Sequence, residues 1–103
     1  MAKFADEFGS QKSSSGYQKL PSGLIIQWGS TTTSSGMTAG TFPIAFQNAI
    51  FQFYCTLKAT ISPTPFTTGG YATSLTTFGV VAGNSTNGVA QSGVEVVWLA
   101  IGY

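Results

Sequence analysis

The residues predict an all-β domain, an antiparallel sheet or sandwich. Three observations carry this expectation. Phe51 to Ile61 alternates apolar and polar side chains with a period of two. Short runs rich in Val, Ile, Thr and aromatics are separated by clusters of Gly, Ser, Pro and Asn. Charged residues make up 7% of the chain, against roughly 25% in an average soluble domain. Their place is taken by Ser, Thr and Gly, which keep a surface wet without charge.

Met1 to Ser10 reads as a cloning remnant, because Glu7-Phe8 and Gly9-Ser10 are encoded by two common cloning sites. Gln11 to Gly16 is Ser-rich and expected to be a flexible or extended lead-in. Residues 1–16 therefore stand apart from one domain at 17–103. Leu24 to Trp28 is a β-rich run between Pro21-Ser22-Gly23 and Gly29-Ser30. Ser30 to Gly40 reads as a polar loop or weak hairpin. Thr41 to Phe46 is expected to be extended, with Pro43 marking an edge or strand approach.

Phe51 to Ile61 is the clearest strand. Phe51, Phe53, Cys55, Leu57, Ala59 and Ile61 share one face, and Gln52, Tyr54, Thr56, Lys58 and Thr60 the other. Pro63 and Pro65 end it, because neither donates to a ladder. Thr67 to Gly70 is expected to continue that turn. Tyr71 to Ala82 supplies one or two strands, Gly83 to Gly88 is a turn, and Val94 to Tyr103 is the last strand.

This last strand is apolar on both faces. Val94, Val96, Trp98 and Ala100 lie on one side; Val97, Leu99, Ile101 and Tyr103 lie on the other with Glu95. An antiparallel domain this small rarely covers both faces of a strand by itself. Either the strand lies between two packed layers or one face meets another subunit; the second is the expectation, since an uncovered apolar face invites aggregation.

Composition narrows the chemistry. The chain has no His, which removes the usual imidazole base and any His-containing metal site. Its acids are Asp6, Glu7 and Glu95, and glycoside cleavage usually needs a carboxylate pair. No enzymatic activity, cofactor or metal is expected. Four scattered lysines and no Arg build neither a nucleic-acid groove nor a polybasic membrane patch. The apolar run Val96 to Ile101 is far short of the ~20 residues of a membrane helix. Cys55 is the single cysteine, read as a structural thiol on the apolar face of its strand. Asn84-Ser85-Thr86 matches a glycosylation sequon and is read as a turn. Glu95 is read as facing outward near the start of its strand; the alternative is an inter-subunit bond to Lys19 or Lys58.

Two stretches, Gly16-Tyr17-Gln18-Lys19-Leu20-Pro21-Ser22-Gly23-Leu24-Ile25-Ile26-Gln27-Trp28-Gly29 and Val97-Trp98-Leu99-Ala100-Ile101-Gly102-Tyr103, resemble the opening and closing segments of the C-terminal domain of phage and prophage tail fibres, Mu-like ones included. Thr41 to Ala49 resembles that family's Phe-Pro-x-Ala-Phe segment and departs at Gln47, where a second Pro is common. The resemblance implies a homotrimeric β knob at the distal end of a fibre. It implies binding to host surface glycan, lipopolysaccharide above all, without catalysis, and in some relatives a dedicated assembly chaperone. The implied location is the virion, after assembly in the host cytoplasm.

The shared segments are expected to be structural, with Trp28, Val97, Trp98, Leu99, Ile101 and Tyr103 as core or trimer-interface residues. Receptor contact is expected from three loops, Ser30 to Gly40, Ser62 to Tyr71 and Gly83 to Gly93. Phe66 and Tyr71 are candidates to stack on a sugar. Asn84, Asn87 and Gln91 are candidates to bond its hydroxyls, each offering a donor and an acceptor. The alternatives are a trimerisation or capping module with recognition elsewhere on the fibre, and a hydrolytic tailspike fragment, which the scarcity of carboxylates disfavours.

Overall fold

A computed structural model describes residues 9–34, 36–58, 66–84 and 89–103. Eight strands make two antiparallel sheets: β1 (Ser10–Gln11), β2 (Gly16–Lys19), β3 (Ile25–Thr32), β4 (Thr38–Thr41), β5 (Ile50–Leu57), β6 (Phe66–Ala72), β7 (Thr77–Asn84) and β8 (Glu95–Gly102). The larger sheet has the order β1-β2-β3-β8-β5 and the smaller one β4-β7-β6. The all-β antiparallel expectation holds.

The closing strand lies between β3 and β5. Trp98 pairs with Gly29 on one side and Cys55 on the other. Its inner row, Val96, Trp98 and Ala100, is buried against Ile25 from β3 and Phe78, Val80 and Ala82 from β7. Five aromatics fill the space between the sheets: Phe42, Phe46, Phe53, Phe78 and Trp98. The Phe78 and Trp98 centroids are 4.7 Å apart, and Phe42 meets Phe46 edge-on at 5.1 Å. Such pairs add about 0.5–1.5 kcal/mol beyond burial. The Phe78 ring lies so close over Gly40 that any Cβ there would collide with it, which makes this position one for glycine.

Several segments differ from the sequence reading. Ser10–Gln11 pairs with Tyr17 and Gln18, so the larger sheet reaches into the expected lead-in. Ser30 to Gly40 is not one loop or hairpin: Ser30 to Thr32 and Thr38 to Gly40 lie in strands. β3 continues through Thr32, held in register to Glu95, and β4 belongs to the other sheet. The β-branched Thr31 and Thr32 suit this strand, and the polar stretch is a crossover between layers.

Thr67 to Gly70 does not continue a turn; it lies inside β6, paired with Val80 to Gly83. Glycine is tolerated there because the opposite sheet needs the room. A Cβ on Gly70 would stand 3.1 Å from the Phe53 ring. The turn comes later, at 73–76, where the Ser74 hydroxyl accepts hydrogen bonds from the backbone N–H of Thr76 and Thr77, both at 3.1 Å. Ala59 to Pro65 lies outside the described residues.

The Phe-Pro segment leaves the sheet after Thr41 and caps the core with Phe42 and Phe46, both buried. It is tied down by an amide in the interior. Gln27 is fully buried, donates from Nε2 to the Ile44 carbonyl at 2.9 Å and accepts the Ile44 N–H on Oε1 at 3.1 Å. One side chain thus supplies the pairing that a neighbouring strand would have made, which is how a polar group survives burial. Thr33 works likewise: its hydroxyl donates to the Gln91 carbonyl at 2.8 Å and accepts the Val94 N–H at 3.1 Å.

Candidate functional site

The face of the larger sheet turned away from the core is apolar. Register places three rows across β3, β8 and β5: Ile26–Ile101–Gln52, Trp28–Leu99–Tyr54 and Ser30–Val97–Thr56. Leu99 is 38% exposed and Tyr54 56%. Trp28 is half-buried; its ring lies over Gly16, and its Nε1 donates to the Ser13 carbonyl at 2.8 Å. The expected interface residues therefore separate. Trp28, Val97, Leu99 and Ile101 share this outer face, with Tyr103 just beyond it. Trp98 belongs to the core of its own chain, 5% exposed, with Nε1 as the buried side-chain polar atom lacking a partner among the described residues.

Glu95 and Lys58 close one end of the outer face. Their side chains pair at 3.3 Å within the chain, both largely exposed, an arrangement contributing about 0–1 kcal/mol. Cys55 sits half-buried on the inner side of β5. Burial raises its thiol pKa above the ordinary range, and the Thr68 hydroxyl partly offsets that.

The expected receptor residues fall in different settings. Phe66 and Asn84 are the paired ends of β6 and β7, not loop positions. Asn87 lies outside the described residues. Gln91 is engaged in structure: its N–H bonds the Ala82 carbonyl at 2.8 Å, and its Nε2 bonds the Val89 carbonyl at 3.2 Å. Tyr71 is on β6 rather than in a loop, yet its side chain is 57% exposed.

Tyr71 has a neighbour that sequence periodicity assigned to the wrong side. The β5–β8 register shifts between Ile50 and Gln52. Phe51 is the extra residue, and instead of joining Phe53 in the core it is 56% exposed. Bulges re-aim side chains in this way. Phe51 stacks on Tyr103, with centroids 5.4 Å apart and planes at 21°. Phe51, Gln52, Gly70 and Tyr71 line one open cleft of about 280 Å³ where the edges of the two sheets meet. A one-residue slip leaves the alternation of neighbouring residues unchanged, so composition held no signal for it.

The family described as "tail fiber protein gp53-like, C-terminal" matches residues 19–103. Among solved structures, the chain is similar to an N-truncated R2-type pyocin tail fibre at 26% identity and a TM-score of 0.77, covering 91% of this chain and 36% of that one. It is also similar to a P. aeruginosa R2 pyocin fibre at 26% identity and a TM-score of 0.76, covering 91% and 25%. An N-truncated R1-type pyocin tail fibre shares the fold at 24% identity and a TM-score of 0.72, covering 99% and 95%. The chain spans about a third or less of the two R2 fibre chains. No curated protein matches it.

Proposed function

The chain belongs to the family of C-terminal domains of gp53-like tail fibre proteins, and from that premise we propose that it assembles as a homotrimer on its fibre and binds glycan on the host surface during adsorption. The observation that carries the proposal is the outer face of the larger sheet. Ile26, Trp28, Val97, Leu99 and Ile101 form a patch whose Leu99 stays 38% open in the single chain. Exposed apolar patches of this kind mark association surfaces. Self-association suits a chain with so little charge to keep an open face hydrated. The three-fold order comes from the tail-fibre resemblance.

Glycan is the favoured receptor class, lipopolysaccharide first. The described surface offers hydroxyls, amides and exposed aromatics, and its cations are lysines, with Lys58 engaged by Glu95. Such a surface suits neutral sugar better than phosphate, which calls for a charged fork. The role is binding, not catalysis. Assembly takes place in the host cytoplasm, with a chaperone in some relatives, before the particle is released.

The test is capture of lipopolysaccharide from a panel of bacterial strains by the purified domain, paired with competition against adsorption of fibre-bearing particles. Capture from the strains that adsorb, and inhibition on those strains alone, is expected. A stable trimer that captures none and inhibits none would refute receptor binding and leave the domain as a trimerisation or capping module.

A further inference from the structure

We infer that the cleft between the β5 and β6 edges is a sugar-ring subsite, with Phe51 and Tyr71 as its stacking platforms and a neutral pyranose as its ligand. The inference rests on the receptor-binding reading above and locates it on the fold.

Four observations converge there. Phe51 and Tyr71 are two of the most exposed large side chains of the described residues, at 56% and 57%, and both line the same cleft. Phe51 reaches solvent because the register shift expels it from a strand whose other inward residues are packed. An exposed phenylalanine forgoes stabilisation that burial would supply. The Tyr103 ring behind Phe51 holds it in place, so little rotamer freedom remains to be lost on binding. Gly70 lines the wall between the platforms, backed closely by Phe53 and Val80.

Size and polarity select the ligand. At about 280 Å³ the cleft falls just below the usual range for drug-sized molecules, roughly 300–1,000 Å³, and suits one ring of a chain that continues into solvent. None of its lining residues carries a charge, so an anionic sugar or phosphate finds no counter-ion. The Gln52 amide lies beside the rings on β5, the edge strand of the larger sheet and outside the Ile26–Trp28–Val97–Leu99–Ile101 patch; its Oε1 accepts the Tyr54 hydroxyl at 2.9 Å. C–H-rich sugar faces lie on aromatic rings while hydroxyls reach such amides. Two larger clefts lack this feature: in one of about 350 Å³ beside Trp98 and Phe78 both rings are buried, at 5% and 2% exposure, and one of about 370 Å³ offers a single ring, Tyr103, and is lined by the charged Lys19.

The experiment uses the whole chain on a microarray of delipidated bacterial polysaccharides, both lipopolysaccharide-derived and capsular. Saturation-transfer NMR then follows the best-bound polysaccharide. Tyr71→Ala and Phe51→Ala are each expected to weaken binding roughly three- to tenfold per site, and more on the multivalent array. Tyr71→Phe should retain binding, and sedimentation should show the same assembly as the parent. Parent binding that survives both alanine changes undiminished would overturn the subsite and leave receptor binding standing. A parent that binds no polysaccharide would overturn both. Dissociation of the assembly by Phe51→Ala would reassign that ring to subunit contact and equally overturn the subsite.

Discussion

Leu99→Asp separates folding from assembly. Leu99 keeps 38% of its surface open in the single chain. Closing that remainder in a trimer supplies about 0.8 kcal/mol per protomer, since a fully buried leucine contributes roughly 2 kcal/mol. The aspartate removes this and places a carboxylate on the patch, at an effective desolvation penalty of several kcal/mol per ion. Lys58, at one end of that face, is already engaged by Glu95. Summed over three copies, the penalty reaches about 10 kcal/mol, more than the ~8 kcal/mol that holds a micromolar contact. The fold itself should lose about 1–2 kcal/mol, from the part of Leu99 already covered in the single chain and the poor fit of aspartate to a strand. Sedimentation velocity over a concentration series should give trimer for the parent and monomer for the variant. Near-ultraviolet circular dichroism should show the Phe42–Trp98 aromatic cluster intact in both. A variant that remains trimeric at every concentration, or a parent that sediments as monomer, would refute the assignment of this face to assembly.

Three further outcomes are expected. Gln27→Ala strands the Ile44 N–H and carbonyl; with about 1–3 kcal/mol for each unsatisfied group, urea titration should show a loss of roughly 2–5 kcal/mol. Trp98→Phe should be much milder than Trp98→Ala, because it keeps an aromatic ring against Phe42, Phe53 and Phe78 while losing only an N–H that has no partner; about 3–5 kcal/mol is expected for the alanine, and equal losses would contradict the packing described. Because its pKa is raised by burial, the Cys55 thiol holds less thiolate at neutral pH than a free thiol; alkylation should be slower than that of a model thiol at pH 7 and accelerate as pH rises past the ordinary thiol range. A rate equal to the model thiol at pH 7 would contradict that environment.

Strand character was legible because it is local. The β8 pattern needed no partner to be read, and in the structure Val96, Trp98 and Ala100 are buried beside a 38% exposed Leu99. Turn chemistry was legible at Pro21-Ser22-Gly23, where the chain turns between β2 and β3. It failed at Gly69-Gly70, because glycine marks either a turn or a place where another sheet comes close, and only the Phe53 ring opposite distinguishes the two. The polar Thr31-Thr32 failed for a related reason: a strand edge and a loop share that composition.

Amino-acid order alone thus determined the all-β class, the place of the closing strand, the scarcity of charge and the lack of His-based chemistry, since each follows from side-chain type and spacing along the chain. Tertiary structure decided which way individual residues face. It buried Gln27 by giving its amide the Ile44 backbone to bond, took Trp98 into the core, and expelled Phe51 beside Tyr71 through a one-residue shift of register. Such choices depend on contacts between segments far apart in the chain, which periodicity within one segment does not encode.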